Sequence, residues 1–238
     1  MPSSKKARRK KTGERWKYII YAALLASIIA ITYLSHLYSS GAISENTLLV
    51  YGSIAQSMFF SLAVFSFMLI RGNSIGKMTA KLGISRRSFK PIHIAYGVII
   101  FLAILALEFG LAYFQQVTGI QLPTNVAAIF GGLPDWFLLF SVFIAPLNEE
   151  VLFRGFLVPE WWIRLRRHSR AWAVLFILFS ASFFGLLHYL SYNSISEFLA
   201  AFVFGLIAGA VRLKTRSLYP SITAHIIVNL FGLIVVGG

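Results

Sequence analysis

The sequence predicts an all-α fold, a polytopic bundle of about seven membrane-spanning helices, on three observations. Of 238 residues, 58% are hydrophobic, well above the ~45 to 50% of a soluble domain. That inventory, about 138 residues, nearly matches seven spans of roughly 20 apolar residues each. The apolar residues fall into seven long runs, and the basic residues collect in alternate connections between them. There is no cysteine, so disulfides, a thiolate nucleophile and Cys-ligated metal are excluded.

The runs cover 18–39, 46–70, 91–115, 136–158, 171–191, 196–211 and 218–236. The first follows a tail, 1–17, with eight Lys or Arg residues. It exceeds the ~7 to 15 residues of a secretory h-region, so an uncleaved signal anchor is expected. Pro91 and Pro220 stand near span starts, and Pro134 and Pro159 flank the fourth span. Pro146 lies inside that span, where it removes a helical hydrogen bond and predicts a kink. Gly205 and Gly209 form a GxxxG in the sixth, for close packing within the bundle or a dimer face. Trp136, Trp161, Trp162 and Trp172 read as an aromatic belt. The stretch from Glu160 to Arg170 continues span four or forms an interfacial helix.

Net charge is +14 from 22 basic and 8 acidic residues. Besides the tail, six basic residues lie between spans two and three, four follow span four and three follow span six. The connections near 40–45, 116–135 and 192–195 contain none. The positive-inside rule places the N-terminus in the cytoplasm and the C-terminus across the membrane. The charge thus reads as a topology signal and an attraction to anionic lipid heads near the basic loops, not as a nucleic-acid partner. With no internal repeat, and an odd span number that weakens an inverted-repeat transporter reading, the expected organisation is the tail 1–17, a three-span region 18–134 and a functional core 135–238.

Arg154 is the basic residue left over, inside span four with two carboxylates, Glu149 and Glu150. Each such charge costs about 2.5 to 3.5 kcal/mol at the bilayer centre, so three within six residues mark a functional site. Glu150 and Arg154, i and i+4, share a face and suit an ion pair. Glu149 points about 100° away and is the carboxylate left for other work. Span five places Phe184 and His188 on one face, and span seven places His225 and Asn229 on one face. Glu108 in span three reads as a snorkelling or hydrogen-bonded acid, and His36 and His93 as residues of span ends.

A glutamate, two histidines and an asparagine on three helices fit hydrolysis by an activated water. A poorly solvated carboxylate suits a general base, a histidine can share the water, and a histidine with an amide can supply oxyanion donors. A zinc set of Glu149, His188 and His225 is the metal-dependent alternative, although no HExxH occurs. A proton-coupled transporter using Glu149 and Glu108 is a further one.

These residues resemble the motifs of the CAAX protease and bacteriocin-processing (Abi) family of intramembrane glutamic endopeptidases, which includes type II CAAX prenyl proteases. EExxxR stands as Glu149, Glu150 and Arg154, FxxxH as Phe184 and His188, and HxxxN as His225 and Asn229, in family order over roughly 135–235. The resemblance implies a helical bundle with a conical intramembrane cavity and no cofactor or metal. It implies that Glu149 with His188 activates water, that His225 with Asn229 forms the oxyanion hole, and that Glu150 with Arg154 orients the site. The implied partner is a membrane-associated peptide or lipidated protein, prenylated in part of the family, at a prokaryotic plasma membrane. Some relatives act in immunity or as scaffolds, which makes a non-catalytic membrane scaffold the alternative function. Straight helices at about 1.5 Å per residue would leave His225 about 10 Å and His188 about 25 Å from the cytoplasmic ends, so tilt or an irregular helix must bring them together.

Overall fold

A computed structural model describes residues 32–122, 133–159 and 169–237, with 22, 25–26 and 28–30. The tail 1–17, Trp161, Trp162 and the Glu160 to Arg167 stretch lie outside the described residues. Every regular element among the described residues is helical. The apolar helices are α1 (Ile28–Ser39), α2 (Glu45–Ile70), α4 (Ile92–Thr118), α5 (Asp135–Phe156), α6 (Ser169–Tyr192), α7 (Ile195–Thr215) and α8 (Tyr219–Gly237), with a short amphipathic α3 (Ile75–Leu82) between α2 and α4. Each of the seven apolar runs therefore carries a helix. Five of these helices are long and apolar enough to cross a membrane, while α1 and α8 give shorter apolar segments.

Helix ends follow from local chemistry. Ser44 accepts from the Thr47 N–H and starts α2. Ser194 accepts from the Glu197 N–H at 3.4 Å, within the Ser-x-x-Glu pattern that starts α7. Gly119 ends α4 in the left-handed conformation, with its N–H on the Gln115 carbonyl. The outward faces are apolar, as Ile99, Leu102, Phe109 and Tyr113 of α4 and Val174, Phe179 and Leu190 of α6 show. Exposed apolar residues around a polar interior are what a lipid solvent selects. The chain is a multi-pass integral membrane protein.

Residues 1–79 and 80–238 form two compact units. The second holds α4 to α8. Asn193, at φ 47°, turns the chain sharply between α6 and α7, which pack as an antiparallel hairpin. Small residues set the closeness of that pair. A Cβ at Gly205 would stand 2.8 Å from the Cα and Cβ of Ala181, and one at Gly209 3.1 Å from Ile177. The GxxxG face is thus used within the chain. Gly205→Leu is expected to cost at least the ~1 to 3 kcal/mol of an overpacked core, because Ala181 presents backbone and Cβ with nowhere to move. Thermal unfolding of the purified variant checks this, and an unchanged midpoint would contradict the packing argument. On the other flank α8 lies on α4, with Gly97 against Thr223 and Phe101 edge-on to Phe231 at 5.6 Å.

Candidate active site

The site is built on an irregular α5. Ala145–Glu150 is α-helical, but Phe140–Ile144 before it and Val151–Phe156 after it are π-helical. Such wide turns recur at functional sites. Pro146 accounts for the first. It has no N–H to give the carbonyl five residues back, Ser141, and the Asn229 amide donates to that carbonyl from α8 at 2.9 Å. The interruption expected at Pro146 therefore takes the form of a π segment capped from another helix. In the second segment the Phe153 carbonyl accepts from buried Ser180 at 2.7 Å and the Arg154 carbonyl accepts from Arg212 Nε at 3.3 Å.

Glu150 and Arg154 are both fully buried and form the expected pair, Nη1 to Oε1 at 2.8 Å. The guanidinium is packed among rings, its Cζ 4.2 Å from the Phe184 centroid, 5.0 Å from Phe204 and 5.7 Å from Phe153. Arg154 Nε and Nη2 have no hydrogen-bond acceptor among the described residues, and the ring faces supply their electrostatic complement. Phe184 is thus the floor of the cation as well as the packing partner of both histidines.

Glu150 Oε1 also meets His225 Nδ1 at 3.1 Å. A carboxylate only accepts, so Nδ1 carries the proton and Nε2 is turned toward Glu149, whose Oε2 lies 3.7 Å away. Glu149 keeps 24% of its side-chain surface exposed while Glu150 and Arg154 keep none. Helical spacing anticipates this division, with one carboxylate consumed by an ion pair and its neighbour left open.

His188 is placed differently from His225. Its Nδ1 donates to the Phe184 carbonyl at 3.0 Å, which leaves Nε2 with the lone pair. Its ring lies 4.3 Å from the Phe184 ring, and the His225 ring meets the same phenylalanine at 5.7 Å. Among the described residues no hydrogen bond or ion pair joins His188 to Glu149. The structure thus brings Glu149, Glu150, Arg154 and His225 into one cluster, sets His188 across Phe184 from His225, and engages Asn229 through Ser141. No group of three His, Asp or Glu among the described residues is arranged to hold a metal ion.

Residues 131–231 match the family model described as type II CAAX prenyl endopeptidase Rce1-like. Over that segment the chain is similar to the Rce1-like family. The match contains all the motif residues and supports the family resemblance of EExxxR, FxxxH and HxxxN. The Rce1-like family is a family of proteases, and its segment here spans α5 to the greater part of α8. No curated protein and no solved structure matches the chain.

Two side chains of the Rce1-like segment stand outside those motifs yet hold its α5. Ser180 donates to the Phe153 carbonyl. Arg212 is counted by sequence with the basic residues that follow span six, but it is buried. The signal was its spacing, since Arg212 continues the face of Ala201, Gly205 and Ala208, all buried. Away from the site, half-buried Glu108 stands within electrostatic reach of Glu197 on α7, and His93 is buried at the start of α4.

Proposed function

We propose that the protein is an intramembrane endopeptidase of the glutamic type, acting on a membrane-associated peptide or lipidated protein, with prenylated CAAX-type substrates the class its family description points to. The observation that carries the reading is one carboxylate, Glu149, left partly exposed and facing an imidazole nitrogen at 3.7 Å, beside a carboxylate already neutralised by an arginine. In this reading a water between Glu149 and the scissile carbonyl loses a proton to Glu149. Its oxygen attacks the carbonyl carbon, and the proton passes to the leaving amine as the C–N bond breaks. His188 shares the water through Nε2, the nitrogen its Phe184 bond leaves open. Asn229 and His225, the latter through Nε2 and so with a proton there as well as the one Nδ1 gives to Glu150, donate to the oxyanion, a contribution of about 2.7 to 4 kcal/mol per preorganised donor. Asn229 gives one N–H to Ser141, and an amide has a second. Glu150 and Arg154 orient His225. The N-terminus is read as cytoplasmic, with the basic loops against anionic lipid heads and residues 135–238 as the catalytic core.

The test is cleavage of a fluorogenic prenylated peptide and of unprenylated peptides by the purified protein. Wild type is expected to cleave, with a loss of about 10²- to 10⁴-fold in His188→Ala, with or without a zinc chelator. Chelation that abolishes activity, with restoration by zinc, would overturn the metal-free mechanism. Absence of cleavage of any peptide by a folded wild type would favour the scaffold reading.

A further inference from the structure

Arg154 and Arg212 are the two largest side chains that are fully buried among the described residues. The mechanism above uses only the first. Arg212 nonetheless touches the site's backbone, since its Nε donates to the Arg154 carbonyl at 3.3 Å and its Nη2 to the Lys81 carbonyl at 2.8 Å. The same guanidinium is the seat of the loop that leads into α4. Gly83 holds φ +78°, and a Cβ there would lie 2.7 Å from Arg212 Nη1 and 2.8 Å from the Arg216 carbonyl. Two further bonds fasten that loop at the α7–α8 corner, from the Leu218 N–H to the Gly83 carbonyl at 3.0 Å and from the Tyr219 hydroxyl to the Ile84 carbonyl at 3.1 Å.

A buried cation is costly where a leucine would fill the volume. What a leucine could not do is donate to two carbonyls on different elements. One of them belongs to the π segment, where the carbonyls no longer all find the usual helical partner. From Arg212 the connection runs through the Arg154 backbone to its guanidinium, on to Glu150 Oε1 at 2.8 Å and from there to His225 Nδ1 at 3.1 Å.

We propose that Arg212 is a positioning residue that sets the register of the π segment carrying Arg154, and through it the orientation of His225, with the last turn of α3 at Lys81 and the Gly83 turn after it as its second anchor. The inference deepens the peptidase reading, and its rate measurement rests on that reading. Its spectroscopic measurement does not.

The experiment compares the full-length wild type with Arg212→Gln, Arg212→Lys and Gly83→Ala in lipid nanodiscs. It reads kcat and KM on the peptide cleaved, thermal unfolding, and the ¹⁵N resonances of labelled histidine. Arg212→Gln is expected to shift the His225 imidazole signals and leave those of His36 in place. It should lower kcat by about tenfold to a hundredfold with KM changed less than about twofold. Arg212→Lys, able to reach one carbonyl at a time, should fall between. If Arg212→Gln does not fold, Gly83→Ala, which keeps the guanidinium and crowds its seat, is read for the same His225 shift. Unmoved His225 signals in a folded variant, or a loss of rate that only follows the loss of folded protein, would overturn the assignment. A wild type that cleaves nothing while the His225 signals still shift would sink the peptidase reading and leave the positioning role standing.

Discussion

Glu149→Gln is expected to abolish peptide cleavage while leaving the fold in place. Glutamine keeps the volume and can still reach His225, so packing and the 3.7 Å approach to its Nε2 are retained. What is lost is the capacity to take a proton from water, an effect of about 10² to 10⁴ in rate when a general base is removed. The loss belongs in kcat, because Glu149 acts on the water and not on the bulk of the peptide. The comparison needs the purified variant at equal folded concentration, with thermal unfolding as the control. Retention of more than about a tenth of wild-type kcat would show that another group removes the proton.

The second large effect concerns stability. Arg154→Met removes the only guanidinium bonded to Glu150 among the described residues and leaves a carboxylate with no exposed surface, held by His225 and Ser221 without a full counter-charge. Breaking a buried pair from one side costs about 3 to 5 kcal/mol, and the three phenylalanine rings around the cation lose their partner as well. Removing both charges together should recover much of this, because the uncompensated carboxylate and not the missing bond is the main penalty. Thermal unfolding of Arg154→Met against Glu150→Gln with Arg154→Met decides it. If the double variant is as unstable as the single one, the pair is not the source of the cost.

Much of the fold was legible because lipid imposes a simple rule on sequence. Seven apolar runs carry seven apolar helices, and the same rule made Arg154 conspicuous. The ion pair was legible too, since i and i+4 are neighbours on any helix close to α in pitch. Three features were not. The π segments of α5 depend on which carbonyls neighbouring helices can satisfy, as Asn229 does for Ser141, and that is a tertiary fact. Arg212 was masked by its place at a helix end, where a basic residue has a sufficient explanation in topology. The separation of the two histidines by Phe184 follows from side-chain packing, to which motif spacing along single helices is blind.

The two π segments also say how this site could be retuned. A π turn is an α-helix with one residue too many, so α5 stores two removable residues, one on each side of Ala145–Glu150. A one-residue deletion within Val151–Phe156 could restore ordinary helical pitch while swinging everything beyond it by about 100° relative to the glutamates. The position of Arg154 under Glu150 is therefore metered by chain length as much as by side-chain identity. Two chains could carry all seven motif residues and still differ by a single inserted or deleted residue that decides whether those side chains meet.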